Sequence, residues 1–222
     1  MSNHPNLNNI QYILVSNSGV YGDISVFKTC TQLQRIYAQN TQISGSVSSL
    51  TNCTSLTQLT VNNLTNLEII QIYGETIPIL NIYGDISAFT NCTKLIEIVI
   101  YDRAQNLNIY GDISVFANKP NLFNLHIPYN PNITGDISVF SSYDMTGINV
   151  GGTKCYGDIS VVANMTKPTF ISLHSTQVTG DISAFANFAK LHTLNVNNTQ
   201  VSGLVNSLAN MDWLRILWVT NT

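Results

Sequence analysis

One tetrapeptide recurs along the chain and sets a repeat of about 23 residues. Gly-Asp-Ile-Ser occurs six times, at 22–25, 84–87, 111–114, 135–138, 157–160 and 180–183. Two degenerate copies begin at Gly45 and Gly203, and the spacings between successive glycines are 23, 39, 27, 24, 22, 23 and 23 residues. A unit of this length buries too little surface to be stable alone, so such a chain folds as a stack of turns that share one core.

A second pattern, of apolar residues, precedes these glycines. Positions 1, 4 and 6 of a turn are apolar and their neighbours are mostly polar, as in Leu191, Leu194 and Val196. The pattern begins at ten places: Ile10, Leu33, Leu56, Leu67, Leu95, Leu122, Met145, Pro168, Leu191 and Leu214. Alternation with a period of two is typical of a short strand with one buried face. We therefore predict ten parallel strands in one sheet, and we divide the 39-residue spacing into two turns.

The Gly-Asp-Ile-Ser segments are predicted to cover the opposite side of the stack, with little regular helix. Their glycine permits a backbone geometry that other residues resist. The following Ile and the Phe two residues after Ser, such as Ile113 and Phe116, are predicted to point into the core. Because the repeat runs from end to end without a linker, residues 1–222 are predicted to form a single domain of about ten turns.

The turn resembles the leucine-rich-repeat family, whose unit is Leu-x-x-Leu-x-Leu-x-x-Asn-x-Leu. Its length and its Gly-x-Ile-Ser tail are most similar to the plant-type repeat, which has Gly-x-Ile-Pro there, and similar repeats occur in bacterial and phage surface proteins. The resemblance implies an α/β-type repeat solenoid, a right-handed superhelix with a parallel β-sheet on its concave face and a mostly non-helical convex side. Where the family has an Asn that bonds the next turn, hydroxyls that can form a similar ladder stand here at Ser18, Thr41, Thr153, Thr176 and Thr199.

Charge is scarce and narrows the classes of partner. Only 9% of the residues are charged, against about 25% in ordinary domains, and the net charge is -3. The absence of a Lys/Arg cluster argues against nucleic acid, whose phosphates require a basic surface. Residues 1–9 have neither the basic start nor the apolar core of a secretory signal peptide, and no apolar run reaches the roughly 18 residues of a membrane span. We expect that the chain has no signal peptide and does not insert into a membrane. It is then either cytoplasmic or part of a particle or surface assembly that is exported by another route.

The cysteines and histidines do not form a pattern for catalysis or metal binding. Three cysteines share one repeat position, the fourth precedes a glycine, and no Cys-x-x-Cys pair exists, so we interpret Cys30, Cys53, Cys92 and Cys155 as small core residues. The repeat geometry places His126, His174 and His192 too far apart to share a metal or to build a nucleophile–His–carboxylate group. The sequence therefore predicts no enzyme, no cofactor and no metal site.

Each of the six Gly-Asp-Ile-Ser segments carries an aspartate, and the five in consecutive glycine-bearing turns are predicted to form a column with a spacing of about 5 Å between turns. A column of carboxylates could bind calcium, which takes several oxygen ligands. An Asp beside a Gly more often accepts hydrogen bonds from its own turn, and we predict that structural role.

The outward strand positions vary between turns while the frame stays constant, which is how solenoids build recognition surfaces. The alternative is that these outward positions vary by unselected drift because they lie on a solvated face without a binding role. Aromatic side chains favour a binding surface on the concave face, because exposed rings give large contact area at low entropic cost. The predicted ligand-binding residues are Tyr73, Tyr101, Phe123, His126, Tyr129, Phe170 and His174. This surface predicts a non-catalytic module that binds a protein or glycan ligand. The alternative is that the chain is a structural or adhesive component of a larger assembly, such as a phage virion or bacterial surface fibre.

The last turn carries both tryptophans, Trp213 and Trp218. Solenoid ends expose core unless a polar cap covers them, and neither flank of the ten predicted turns is long enough for a cap helix. An open strand edge beside large apolar side chains favours pairing with another chain. We therefore predict association through the C-terminal end.

Overall fold

The structure is a computed structural model, and it describes residues 7–38, 41–62, 81–101 and 108–222. One strand from each described turn contributes to a nine-stranded parallel sheet, here called sheet 1, in which sequence order and spatial order coincide. Its strands are β1 Tyr12–Leu14, β3 Arg35–Tyr37, β5 Gln58–Asn62, β7 Glu97–Tyr101, β9 Asn124–His126, β11 Gly147–Asn149, β13 Phe170–Ser172, β15 Thr193–Asn195 and β17 Ile216–Trp218. The predicted repeat solenoid with a parallel β-sheet is confirmed.

A second parallel sheet, sheet 2, lies on the glycine side and was not predicted. Its strands are β2 Tyr21–Asp23, β4 Gln42–Ser46, β6 Asn81–Asp85, β8 Asn108–Asp112, β10 Asn132–Asp136, β12 Lys154–Asp158, β14 Gln177–Asp181 and β16 Gln200–Ser202. The signal was present in the sequence, because the residue two places before most glycines is apolar and buried, as at Ile109, Ile133 and Val178. An apolar residue, a glycine and the following Ile alternate with polar residues, which is again a period of two.

A 3₁₀ helix of four residues follows each strand of sheet 2, and these helices are the only ones in the described part of the chain. They span Ile24–Phe27, Val47–Leu50, Ile86–Phe89, Ile113–Phe116, Ile137–Phe140, Ile159–Val162, Ile182–Phe185 and Val205–Leu208. The last residue of each helix packs into the core between the sheets, and so does the first residue of every helix except Val205–Leu208. Phe89, Phe116, Phe140 and Phe185 are fully buried there. None of these short helices has the length needed to span a bilayer.

The number of turns differs from the prediction. Strand β5 is hydrogen-bonded directly to β7, with Gln58 opposite Glu97 and Asn62 opposite Tyr101. On the other side of the stack, β4 pairs directly with β6. The strand predicted to begin at Leu67 lies outside the described residues, and it does not separate β5 from β7, because those strands already bond each other. The 39-residue spacing is therefore one turn with additional residues, and the prediction of two turns was wrong.

The hydroxyl ladder takes a different form from the one that the resemblance implied. The Thr199 hydroxyl donates to the carbonyl oxygen of Val196, three residues earlier, at 2.6 Å. The backbone N–H of Val201 donates back to the same hydroxyl at 3.3 Å. Thr41 and Thr153 repeat this arrangement. Each hydroxyl therefore closes its own turn instead of bonding to the next one, a local pattern common for Ser and Thr.

A column of buried side chains lies three residues after each 3₁₀ helix, at Cys30, Cys53, Cys92, Lys119, Tyr143, Met165, Phe188 and Met211. All four cysteines of the chain are free and buried, as predicted. Burial raises the pKa of Cys53 to about 12 and that of Cys92 to about 11, so both stay protonated at neutral pH. They are structural thiols.

Lys119 is the only cation in this column, and its side chain is 1% exposed. Its Nζ donates to the carbonyl oxygen of Thr90 at 2.8 Å. Burial lowers the pKa of Lys119, because removing a cation from water disfavours the charged form. This lysine occupies a position that Met165 and Met211 fill with apolar side chains elsewhere.

We expect Lys119→Met to raise the free energy of unfolding by about 1 kcal/mol at pH 7, since a buried charge is replaced by an apolar side chain of similar length. The sign follows from proton linkage. The folded-state pKa lies below the unfolded value near 10.5, so the stability of the natural chain rises with pH between the two values, and the advantage of the variant shrinks there. Urea unfolding at pH 7 and pH 10.5, with the exposed Lys94→Met as control, measures this difference. A lower stability for Lys119→Met at pH 7 would contradict it.

Candidate functional site

The structure describes the side chains of five of the seven predicted ligand-binding residues. Tyr73 lies outside the described residues, and the side chain of Tyr101, the last residue of β7, is also outside them. Phe123, just before β9, is 39% exposed. The other four, His126, Tyr129, Phe170 and His174, are half-buried and form two ring pairs, one on sheet 1 and one just beyond the ends of its strands.

The first ring pair joins β9 to β13, two turns apart. The His126 and Phe170 rings stack with centroids 5.3 Å apart and an interplanar angle of 27°. A Cβ atom on Gly147 of the intervening β11 would overlap Oδ1 of Asn124 and lie 2.9 Å from Nε2 of His126. Gly147 is opposite Phe170 in the strand register. The missing side chain on β11 therefore lets rings from the neighbouring turns touch.

The second ring pair follows the same rule, just beyond the ends of the strands. The Tyr129 and His174 rings lie with centroids 5.4 Å apart and tilted by 51°. A Cβ atom on Gly151 would overlap the His174 ring, and one on Gly152 would lie 3.1 Å from Cδ1 of Tyr129. Three glycines of one turn thus make room for four rings from the two flanking turns. We call His126, Tyr129, Phe170 and His174 the aromatic platform.

Tyr129 adopts a backbone conformation that is unfavourable for a bulky residue. Its φ is +59°, in the left-handed region. The corresponding position holds Asn17, Gly152, Ser175, Asn198 and Asn221, all with positive φ. Four of these five are Gly or Asn, the types that tolerate this region best. The backbone N–H of Tyr129 donates to the carbonyl oxygen of Gly151 at 2.7 Å, which holds the turn in place. Strain of this kind concentrates at functional sites.

A cavity of about 310 Å³ opens beside the second ring pair. It is lined by Tyr129, Pro131, Gly152, His174 and Ser175. This volume is at the lower end of the usual range for ligand pockets. The Ser175 hydroxyl lies 3.4 Å from Nδ1 of His174 and accepts a hydrogen bond from Nδ2 of Asn198 at 3.4 Å. The cavity can therefore hold a small ligand or a side chain of a larger one.

The platform is uncharged at neutral pH. Burial lowers the pKa of His126, with the Glu97 carboxylate opposing the shift, and burial also lowers the pKa of His174. Both imidazoles are then neutral at pH 7. Glu97 itself accepts hydrogen bonds from Nδ2 of Asn124 at 2.7 Å and from Nε2 of Gln58 at 3.4 Å. The face of sheet 1 thus changes from a polar network at β5 and β7 to a neutral aromatic surface over β11.

The aspartates have the structural role that was predicted, but the spacing between them differs from the prediction. In all six segments one carboxylate oxygen accepts the backbone N–H of the Ser two residues later at 2.7–2.8 Å, which caps the 3₁₀ helix. These bonds hold the pKa of Asp158 and Asp181 below its usual value. The strand register places Asp136 opposite Tyr156, so neighbouring aspartates are offset by two residues and lie about 8 Å apart rather than 5 Å. No group of metal-binding side chains occurs among the described residues.

Sheet 2 also carries exposed aromatics, which the sequence reasoning missed. Tyr21, Tyr83, Tyr110 and Tyr156 each precede a glycine and are 42–80% exposed. Their signal was the recurring Tyr before Gly-Asp-Ile-Ser. They belong to a different sheet from the platform.

Apolar exposure is concentrated in the first and last turns. Of the thirteen large apolar side chains exposed in the described part of the chain, nine lie there. Trp213 and Trp218 are 61% and 49% exposed, and β17 is an edge strand of sheet 1. Leu204 and Val205 extend this surface next to β16, which is an edge of sheet 2.

No protein-family model matches the sequence, and no curated protein matches it. Solved structures with the same fold are leucine-rich-repeat proteins. An internalin from Listeria monocytogenes is 22% identical, with a TM-score of 0.64, over 96% of this chain and 82% of that chain. The Arabidopsis receptor kinase HAESA, solved with a peptide hormone and a co-receptor, is 20% identical, with a TM-score of 0.72, over 96% of this chain and 34% of that one. A plant ice-binding protein is 18% identical, with a TM-score of 0.61, over 93% and 71%. These structural similarities establish a leucine-rich-repeat fold, and at such low sequence identity they establish no function.

Proposed function

We propose that this leucine-rich-repeat solenoid is a non-catalytic recognition module that binds a partner protein through the predicted concave face, sheet 1, centred on the aromatic platform. Tyr129 carries the proposal, because a tyrosine replaces the small residues of equivalent turns at a strained position and presents its ring beside the cavity. A residue kept in an unfavourable conformation is best explained by what its side chain contacts. The plant-type subclass of the repeat and a single domain over 1–222 are part of this proposal.

Two further observations support a binding role. Structural neighbours include a plant peptide hormone receptor in complex with RGF2 and the receptor kinase HAESA in complex with a peptide hormone. This chain corresponds to about a third of the length of HAESA. Each imidazole of the platform lies against an aromatic ring, His126 against Phe170 and His174 against Tyr129, and this arrangement supports a binding surface. A neutral surface rich in rings and amides suits a protein partner, and a glycan is the other class that the test must address.

The test is selection from a random peptide library displayed on phage, with a glycan array in parallel. We expect peptides that bind the natural chain and lose at least tenfold in affinity on the double variant Phe170→Ser/Tyr129→Asn. The matched control is Tyr156→Ser, which removes an exposed ring from sheet 2 and should leave binding unchanged. Binding confined to glycans, or unaffected by the double variant, would contradict the proposal.

The exposed last turn supports a second candidate, a structural or adhesive component of a larger assembly. The edge of β17 offers unpaired backbone groups beside Trp213 and Trp218, which favours addition of another strand. We propose that this end associates with a second copy of the chain. Light scattering on the purified protein should show a defined oligomer that Trp218→Lys converts to a monomer. A monomer before and after the change would contradict this candidate, while leaving the recognition function untouched.

A further inference from the structure

We propose that the last turn of the solenoid joins the first turn of a second copy of this chain, so that both sheets continue from one copy into the next. This inference rests on the second candidate proposed above and adds the surface that the last turn contacts. It depends on the strand register at the two edges of sheet 2, the side chains exposed there, and the hydrogen bonds that link the turns in sheet 1.

The two edge strands of sheet 2 are paired over complementary segments. Each inner strand has five residues, and β14 pairs its first three with β12 and its last three with β16. Strand β16 pairs through the equivalent of the first three, Gln200–Ser202, and β2 pairs through the equivalent of the last three, Tyr21–Asp23. Among the described residues, this leaves residues 202–204 without a following strand and residues 19–21 without a preceding one.

The register of sheet 2 brings the two most exposed apolar side chains together. In each step of the sheet, the residue before the glycine lies opposite the residue after the glycine of the preceding strand, as Tyr156 lies opposite Asp136. By the same rule, Leu204 of one copy lies opposite Tyr21 of the next. Leu204 stands where six turns have Asp, makes no capping hydrogen bond to the last helix, and is 79% exposed. Tyr21 is 80% exposed, so the contact covers both from water.

Two valines are exposed although they occupy core positions. Val20 lies two residues before its glycine, and it is 42% exposed, whereas the equivalent residues of inner turns are buried, as at Ile109, Ile133 and Val178. Val205 is the first residue of the last helix, and it is 56% exposed, whereas the first residue of every other described helix is buried. Val20 lacks a preceding turn and Val205 lacks a following one. A single contact between the two ends supplies both turns.

The hydrogen bonds between turns of sheet 1 have a direction. The carbonyl oxygen of His192 accepts the N–H groups of Arg215 and Ile216 in the next turn, at 2.9 and 3.1 Å. In return, the N–H of Val196 donates to the carbonyl oxygen of Trp218 at 2.9 Å. The two faces of a turn therefore present different donors and acceptors, and the C-terminal face of one turn fits the N-terminal face of another.

The last turn repeats this pattern toward a second copy. Continued by one step, the pattern makes the Arg215 carbonyl oxygen an acceptor for the N–H of Tyr12. The N–H of Val219 then donates to the carbonyl oxygen of Leu14. The same register places the exposed Leu14 side chain beside the exposed Trp218, and apolar pairs across neighbouring strands stabilise a sheet.

A contact between two last turns fits these observations less well. A two-fold axis would pair β17 with its own copy in antiparallel orientation, and residues 19–21 would stay without a strand partner. The head-to-tail contact repeats the parallel pairing of the solenoid's own turns and covers both edges. Because each copy uses a different surface at each end, such a contact builds rings or filaments rather than closed dimers.

The test uses two double variants, each with one altered end. Leu14→Lys/Tyr21→Lys alters the first turn, and Leu204→Lys/Trp218→Lys alters the last. All four side chains are exposed, so both variants should keep the fold, which thermal melting by circular dichroism checks. The matched control is Tyr110→Lys/Tyr156→Lys, which adds the same charge to the middle of sheet 2.

Light scattering after size exclusion, over a concentration series, gives the molar masses. We expect the natural chain and the control to form species larger than a dimer. Each end variant alone should be a monomer. Their equimolar mixture should form a one-to-one dimer and nothing larger, since the intact last turn of one variant meets the intact first turn of the other and the remaining ends both carry lysines.

The outcomes separate this inference from the functions beneath it. A mixture that stays monomeric overturns the inference. A first-turn variant that still dimerises alone, with a monomeric last-turn variant, shows a contact between two last turns; it overturns the inference and leaves the second candidate standing. A natural chain that is monomeric at every concentration overturns both. The recognition function is unaffected, because none of the four altered residues belongs to the aromatic platform.

Discussion

Gly135→Ala is expected to destabilise the solenoid by about 4 kcal/mol, since two costs of about 2 kcal/mol each fall on one residue. Gly135 in β10 has a φ of +124°, which L side chains rarely adopt. A Cβ atom there would also lie 2.7 Å from Oδ1 of Asp112, 2.6 Å from Cγ1 of Ile113 and 3.0 Å from the backbone N of Ile113. Because one of these neighbours is backbone, rotating a side chain cannot relieve the overlap.

Gly22→Ala is the matched control for this prediction. Gly22 has a comparable φ of +135°, but no described atom lies within 4 Å of the position of its Cβ. The variant carries the conformational cost alone and should lose about 2 kcal/mol. Urea unfolding followed by circular dichroism gives both values. Equal losses of stability in the two variants would show that the close contact between neighbouring turns does not require a glycine at position 135.

The comparison explains why the glycine column was only half understood from the sequence. Its conformational role follows from one turn, since glycine before Asp is typical of a backbone with positive φ. Its second role depends on the neighbouring turn: Asp112 caps its own 3₁₀ helix and packs against Gly135 of the next strand. Packing between turns follows from strand register, and the stagger of two residues per strand in sheet 2 is not written in a single repeat.

Sheet 1 was predictable because its apolar positions repeat in phase and bury one face. The number of turns could not be predicted, because the segment from Leu67 satisfies the same apolar pattern. Only the pairing of β5 with β7 shows that no strand separates these two in sheet 1. Sheet 2 was missed because glycine interrupts its alternation and carries no hydrophobic signal. A pattern search that counts glycine as inward-facing would have found it.

The sequence indicated the residues of the platform individually but not their arrangement, and their role in ligand binding stays a prediction. Aromatic side chains on outward positions marked His126 and Phe170, but their contact depends on Gly147, which is opposite Phe170 in the register. The neutral state of the histidines could not be predicted from the sequence either, because the pKa of His174 is lowered by burial against its neighbours. Glycines at outward strand positions are therefore a useful signal for side chains that meet across a turn.

Tyr129→Asn and Tyr129→Ala are expected to lose binding equally and to differ in stability. Both remove the ring, so peptides selected on the natural chain should bind either variant at least tenfold more weakly. Asparagine tolerates the left-handed region, as Asn198 and Asn221 do in equivalent turns, whereas alanine keeps the unfavourable φ. We therefore expect Tyr129→Asn to be more stable than Tyr129→Ala by about 1 kcal/mol.

An NMR titration of His174 gives a third readout that does not depend on any ligand. Removing the Tyr129 ring exposes the imidazole to water, and because burial is what lowers the pKa of His174, that pKa should move up toward its ordinary value in both variants. The pKa of His126, which stacks on Phe170 instead, should stay unchanged and serves as the internal control. If Asn and Ala proved equally stable, strain at Tyr129 would not be part of the site, and if both variants still bound the peptides, the ring would not contact the ligand.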